Sequence, residues 1–454
     1  MGFNKDFIWG AATSSYQIEG AAYSDGKGLN IWDTFCKEEG KIFGGQNGDI
    51  ACDHYNRMEE DVELMAKMGL KAYRFSISWS RLLPNGTGEI FQAGIDFYNR
   101  LINKLLEYKI EPYITLYHWD LPYALHQQGG WLNPEIATWF GDYAKLVAQC
   151  YSDRVRYFMT INEPQVILGN GYVGGDHAPG HRLGKKESLQ IGHNILTAHG
   201  TAVKALREYA KQPVQIGIVM ATCPAIPASE SPEDVKAAKE AYAAASRDNF
   251  IGTDVYWLDP IVLGKYPEGL LASAQDIMPN YSKENMQLIN QPIDFVGANI
   301  YWGNTFKAGE KGQPIAVKLP DGTPRTAIGW SITPSALYWG AVENCGRYHL
   351  PYYITENGMS AHDAVSLDGQ VHDPNRIDYM NRYLLGLEQA AKEGHPITGY
   401  FAWSLMDNFE WANGYNDRFG LIYVDFQTGQ RLLKDSAHWY KKVIESNGES
   451  LHQY

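Results

Sequence analysis

The sequence predicts an α/β fold closed into one parallel barrel, and three observations carry that expectation. Short apolar, β-prone runs alternate with amphipathic helical stretches along the whole chain. The alternations number eight, the count that closes a parallel sheet wrapped by helices. No linker, low-complexity tract or shift in composition interrupts them, so residues 1–454 are expected to form a single domain. The expected architecture is a (β/α)8 TIM barrel with long loops on its C-terminal face.

The strands are expected at Phe7–Gly10, Ala72–Ser76, Pro112–Tyr117, Tyr157–Thr160, Gln215–Met220, Phe295–Asn299, Tyr352–Thr355 and Gly399–Trp403. Between them, Arg57–Met68 sets Met58, Val62, Met65 and Met68 on one face, and Ile95–Tyr108 does so with Phe97, Leu101, Leu105 and Tyr108. That spacing is the stripe of an amphipathic helix. Further helical patterns run over Pro134–Cys150, Ser188–Ala210, Asp234–Asn249, Pro334–Tyr348 and Pro374–Lys392. Pro134, Pro334 and Pro374 fit helix starts, where the missing N–H costs nothing. The competing arrangement is an open doubly wound sheet. Against it, no G-x-G-x-x-G or Walker A pattern follows any strand. Asn30–Tyr55, Gly169–Lys186 and Thr305–Trp330 are expected as loops walling a pocket.

Bulk properties exclude several functions. The net charge is -13 and no Lys/Arg block stands out, which argues against nucleic acid or an anionic membrane as partner. No apolar run reaches spanning length. The strand at Phe7–Gly10 leaves no room for a signal peptide, and Asp6 stands where a myristoylation site after Met1-Gly2 needs Ser or Thr. The five cysteines (Cys36, Cys52, Cys150, Cys223, Cys345) are odd in number, dispersed and without C-x-x-C. They fit a reduced cytoplasmic protein better than a disulfide framework or a zinc site. Aromatics make up 13% of the chain; flat rings with polar edges suit carbohydrate, although a large core buries aromatics too.

Two glutamates carry the chemistry. Glu163, in Thr160-Ile161-Asn162-Glu163-Pro164, and Glu356, in Ile354-Thr355-Glu356-Asn357-Gly358, each follow a strand and precede a breaker. An acid at the C-terminal end of a barrel strand is placed for a cleft rather than a core. Two carboxyls in different environments suit cleavage of a glycosidic bond, one as acid/base and one as nucleophile. Other strand exits add Gln17 and Glu19, Arg74 with Ser76 and Trp79, His118-Trp119-Asp120, Asn299 with Tyr301, and Trp403 followed by Asp407, Asn408, Glu410 and Trp411. Seven of the eight strands thus deliver a polar or aromatic group to one rim; the fifth delivers none. The nucleophile must stay ionised, for which Arg74 and Tyr301 are candidates. The acid must hold its proton, and Glu163 beside an ionised Glu356 should be raised towards roughly 6. Asn162 could offer a donor to a sugar 2-hydroxyl. His118 has no second His at ligand spacing, so neither a metal nor a cofactor is expected.

On these residues the chain resembles glycoside hydrolase family 1, the β-glucosidase type of retaining glycosidase. The resemblance begins at Phe7-Ile8-Trp9-Gly10-Ala11-Ala12-Thr13-Ser14-Ser15-Tyr16-Gln17-Ile18-Glu19-Gly20 and continues through Tyr73-Arg74-Phe75-Ser76 and His118-Trp119-Asp120-Leu121-Pro122. It closes with Trp403-Ser404-Leu405-Met406-Asp407-Asn408-Phe409-Glu410-Trp411 and Arg418-Phe419-Gly420. It implies Glu163 as acid/base and Glu356 as nucleophile, with Arg74, Asn299 and Tyr301 holding Glu356. It further implies a substrate-binding set of Gln17, His118, Trp119, Asn162, Trp403, Glu410, Trp411 and Phe419. Trp330 resembles the tryptophan that stacks on the aglycone. The family often shows Asn-Tyr-Tyr where this chain has Asn299-Ile300-Tyr301, which leaves the tyrosine expected at the nucleophile in place. Phospho-glycosidase relatives typically lack the acid at Glu410; here an ionised Glu410 and Asp417 are expected to repel a dianionic phosphate.

The expectation is therefore a retaining exo-β-glucosidase whose partners are small β-glycosides such as cellobiose and aryl or alkyl glucosides. Alternatives are a β-galactosidase, β-fucosidase or 6-phospho-β-glucosidase of the same fold, a sugar-binding barrel without turnover, and a metal-dependent barrel hydrolase. Oligomeric state is not legible.

Overall fold

The computed structural model describes residues 2–453; Met1 and Tyr454, which the expected domain and the Met1-Gly2 reading include, lie outside the described residues. Eight parallel strands close a barrel: β1 (Ile8–Ala12), β2 (Ala72–Ser76), β3 (Glu111–Tyr117), β4 (Tyr157–Asn162), β5 (Gln215–Ala221), β6 (Phe295–Asn299), β7 (Tyr352–Asn357) and β8 (Ile397–Trp403). Each pairs with its neighbours in sequence, and β8 pairs with β1. Every expected strand is present. Several run longer, most usefully β4 to Asn162 and β7 to Asn357. Asn and Glu look like the end of a strand locally, but pairing with parallel neighbours extends the ladder to Asn162 and through Glu356 to Asn357.

Both faces of the sheet are buried, as parallel sheets require. Along β3, Tyr113 joins Ala72, Met159, Phe295, Tyr353 and Phe401 inside the barrel. Ile114 and Leu116 join the layer between sheet and helices. The lower barrel is filled with rings: Tyr113 lies 4.2 Å from Tyr157 and 5.0 Å from Phe401 between centroids. This is a solid floor, and it leaves only the upper end for a site.

The main helices follow the strands: α1 (His54–Lys67), α2 (Gln92–Glu107), α3 (Ile136–Tyr151), α4 (Lys185–Tyr209), α5 (Pro232–Ala243), α6 (Ala336–Tyr348), α7 (Pro374–Lys392) and α8 (Asp435–Glu445). Pro374 opens α7 as expected, whereas Pro134 and Pro334 sit in the turns just before α3 and α6. The stretch expected as one helix to Asn249 stops at Ala243. Beyond it Asn249 Oδ1 accepts from the Ser246 backbone at 2.7 Å, a side-chain bond that competes with helix. The sequence reading missed α8. Its Tyr440 hydroxyl donates to the Gly10 carbonyl at 2.8 Å, so the helix seals the outside of β1. All three expected loops carry structure: Ile31–Phe35 is a helix with a capping box from Asn30 and Asp33, Gly169–Gly174 is a short, wide helical segment, and Asn304–Ala308 and Pro314–Ala316 join Ala225–Pro227 in a small sheet.

Candidate active site

Register irregularities in β4 and β7 decide where the two acids point. Beside β5, β4 shifts register between Met159 and Asn162; beside β6, β7 shifts between Ile354 and Glu356. Such shifts re-aim side chains at the rim of a barrel. Glu163 then turns out of β4 with φ 50°, a left-handed backbone that side chains rarely adopt, and caps the short helix Pro164–Leu168. Past Glu356 the chain runs against β8 so closely that a Cβ on Gly358 would stand 1.7 Å from the Trp403 carbonyl oxygen. Only glycine fits there, and it brings Glu356 beside Trp403.

Arg74, on β2, is fully buried inside the barrel. Its Nη1 donates to Glu356 Oε1 at 2.6 Å, its Nη2 to Asn162 Oδ1 at 2.6 Å and its Nε to Thr115 Oγ1 at 3.1 Å. The Tyr301 hydroxyl donates to the other oxygen of Glu356 at 2.7 Å. Asn299 was expected at Glu356 but serves chiefly the other acid: its Nδ2 donates to Glu163 Oε1 at 2.6 Å, oriented by Thr355 Oγ1, which donates to Asn299 Oδ1 at 2.7 Å. The Asn162 amide donates to His118 Nε2 at 3.1 Å.

These environments separate the two acids. Burial, and secondly the charge of Glu356, push Glu163 up to about 8, with Asn299 and Arg74 opposing. Burial also raises Glu356, and Arg74 and then Tyr301 oppose that rise without cancelling it. Glu163 thus holds a proton while Glu356 is the favoured carboxylate. Burial, with Arg74 adding to it, holds His118 well below its ordinary value, so the ring is neutral.

One cavity of about 590 Å³ opens over this pair. Of the expected residues, His118, Trp119, Glu163, Asn299, Tyr301, Trp330, Glu356, Trp403, Glu410 and Trp411 line it. Gln17, Arg74, Asn162 and Phe419 stand behind the lining. Gln17 donates to Asn408 Oδ1 and the Phe409 carbonyl at 3.0 and 2.9 Å, and Phe419 backs Tyr301 and Trp330. Trp119 lines the cavity, yet its indole N–H is taken by the Asn162 carbonyl at 3.0 Å. Trp330 is half-buried and packs at a tilt against Tyr301 and Trp302, with centroids 4.9 Å away in each case.

Burial, then Asp417, then Glu356 and Glu163 push the Glu410 carboxyl well above the usual carboxylate range, which weakens the charge expected at that position. Its Oε2 is buried without a protein partner. The loop that carries it is clamped by Asp407, which accepts from Arg418 Nη1 and Lys434 Nζ at 2.7 Å each and from the Gly420 backbone at 2.9 Å.

Sequence reasoning missed part of the wall. Ala221, Thr222 and Cys223 line the cavity at the end of β5, the one strand from which no rim residue was drawn. Trp302, Asn170 and His177 also line it. Trp302 carried a signal, since it directly follows Tyr301; the others have no local mark. No Lys or Arg is among the lining residues. Among the described residues, no group of three or more His, Cys, Asp or Glu is placed to hold a metal ion, and no helix is long and apolar enough to cross a membrane.

Comparison with known proteins places this geometry. The family model described as Glycosyl hydrolase family 1 matches residues 1–449. β-Glucosidase A of Thermotoga maritima is 46% identical over 448 residues, covering 98% of each chain. The aryl-phospho-β-D-glucosidase of Bacillus subtilis is 40% identical over 481 residues, covering 99% of this chain and 98% of the relative. The solved structure of the T. maritima β-glucosidase in complex with glucoimidazole superposes with a TM-score of 0.90, covering 98% of this chain and 99% of that one.

Proposed function

The chain belongs to glycosyl hydrolase family 1, and on that premise we propose that it is a retaining exo-β-glucosidase with Glu356 as nucleophile and Glu163 as acid/base. The observation that carries the roles is the split environment of the two acids: Arg74 and Tyr301 hydrogen-bond the oxygens of Glu356, while burial and the Glu356 charge keep the proton on Glu163.

In the first step a Glu356 oxygen attacks the anomeric carbon as the bond to the leaving oxygen breaks, and Glu163 gives that oxygen its proton. The product is a glycosyl ester on Glu356, which has lost its charge. One of the two causes that raise Glu163 goes with it. Glu163, now a carboxylate of lower pKa, takes a proton from the water that attacks the same carbon, and Glu356 leaves as the carboxylate. Two inversions retain the β configuration. Proton NMR of a β-glucoside digest checks this: the β-anomer of glucose must appear first, and early release of the α-anomer would overturn the mechanism.

In this reading His118, Trp403, Glu410 and Trp411 bind the terminal glucosyl unit, and Trp330 with Trp302 flanks the aglycone. A protonated Glu410 can donate from one oxygen and accept at the other, which suits two neighbouring hydroxyls. The 6-phospho-glucoside alternative is sharpened by the B. subtilis relative, named for a phosphorylated substrate. The upward push on the Glu410 carboxyl weakens the repulsion expected of an ionised group there. What disfavours a phosphate instead is a lining without Lys or Arg, so a dianion would be desolvated with no cation to pair it. We further propose cellobiose and aryl or alkyl β-glucosides as substrates, a role in cellulose degradation, a cytoplasmic location, and a single catalytic domain over the whole chain. Turnover of a panel of nitrophenyl β-glycosides ranks glucose against galactose and fucose.

A further inference from the structure

Behind one wall of the substrate cavity lies a second, small space of about 10 Å³. Trp119 and His177 line both spaces. Two polar atoms of residues around the smaller one are buried without a protein partner: Trp32 Nε1 and His177 Nδ1. The Trp32 and His177 rings lie 5.3 Å apart between centroids at 66°, with no hydrogen bond between them. An indole N–H can only donate, and a neutral imidazole nitrogen donates or accepts. A polar space of this size with two such partners holds one water.

We propose that this space binds one water molecule, which accepts from Trp32 Nε1 and donates to His177 Nδ1, and that this bridge makes His177 an Nε2–H donor to a substrate hydroxyl in the main cavity. The reasoning runs through the tautomer. Burial pushes His177 down to about 4, with Asp176 opposing, so at neutral pH the ring carries one N–H. The hydrogen bond at one ring nitrogen decides which nitrogen holds that proton. The bridge makes Nδ1 an acceptor and leaves the proton on Nε2. Nε2 is not among the buried unpartnered atoms, and His177 lines the open cavity. The water is a positioning element, and His177 is the group that touches substrate.

The activity arm rests on the β-glucosidase reading; the other arms do not. A high-resolution crystal structure of the free protein should show a single water within hydrogen-bond reach of Trp32 Nε1 and His177 Nδ1. In protein labelled with ¹⁵N-histidine, the His177 signals, assigned by their loss in His177→Phe, should show a protonated Nε2 and an acceptor Nδ1. Trp32→Phe should shift the Nδ1 signal. His177→Phe should raise KM for cellobiose on the order of tenfold, the loss of one hydrogen bond, with little change in kcat. A dry space, a protonated Nδ1, or a Nδ1 signal unmoved in Trp32→Phe would each overturn the proposal. Failure to hydrolyse any β-glucoside would instead sink the function proposed above and leave the water site standing.

Discussion

The floor of the cavity and its mouth are built on different principles. At the floor, Arg74, Asn299 and Glu356 sit on barrel strands, nearly fully buried, and each is fixed by bonds of 2.6–2.7 Å to its neighbours. At the mouth, Trp330 and Trp302 sit on the loop segments after β6, half-buried, and meet only through tilted ring contact. A closed ladder fixes strand-end groups to the tolerance that bond-making needs, while loops can vary without disturbing it. Losses at the floor should therefore fall on the chemical step, and losses at the mouth on binding.

Glu356→Ala should give the largest loss, on the order of 10⁴- to 10⁶-fold in kcat for every substrate. Added azide should restore part of it and yield the α-glycosyl azide. A variant that retains near wild-type turnover would break the floor assignment outright.

Glu163→Ala comes next, with roughly 10²- to 10⁴-fold lost for alkyl glucosides and cellobiose, and far less for dinitrophenyl glucosides that need no acid. Azide should here give the β-azide. In the intact enzyme kcat/KM should fall as pH rises through about 8, because burial and Glu356 raise the Glu163 carboxyl and its protonated form is the active one. A profile flat to pH 10, or equal sensitivity to good and poor leaving groups, would mean that another group supplies the proton.

Glu410→Ser tests the part of the floor that binds rather than reacts. Removing a buried two-hydroxyl contact should lower kcat/KM for glucosides by about 10²-fold, on the scale of one or two hydrogen bonds left unmade. The variant should thereby narrow the advantage of glucosides over 6-phosphoglucosides. A wild-type enzyme that prefers the phosphorylated sugar would refute the argument from the cation-free lining, without touching Glu163 or Glu356.

Trp330→Ala should be the mildest. A stacked aromatic contact at a half-exposed mouth is worth about 1 kcal/mol, so KM for aryl glucosides should rise several-fold with kcat nearly unchanged. A fall in kcat alone would place Trp330 with the floor and erase the contrast.

The same contrast governs what could be read in advance. Strand-end residues carry a local mark, since Glu163, Glu356, His118, Tyr301 and Trp403 each come at the end of a β-prone run, and the two glutamates also precede a breaker. Mouth residues carry a weaker one: Asn170 and His177 lie in Gly169–Lys186, a segment expected as a wall, but no motif sets them apart within it, and Thr222 and Cys223 follow a strand that ends without a charged or aromatic residue. The helix α8 was missed because its apolar positions, Tyr440, Val443 and Ile444, occupy a short stretch, and what stabilises it is a contact with Gly10, 430 residues away in sequence.

By itself the sequence determined the eight strand positions, the two acids at strand ends and the family, because periodicity, breakers and motifs are properties of neighbouring residues. Only the tertiary structure decided the rest. It placed Asn299 against Glu163 across 136 residues and Arg74 against Glu356 across 282. It re-aimed Asn162 and Glu356 through register shifts that no single strand encodes. It pushed the Glu410 carboxyl up, through burial and through Asp417, Glu356 and Glu163 gathered near it. A side chain's identity is local, but its partner, its aim and its charge are set by what the closed barrel brings within a few ångströms of it.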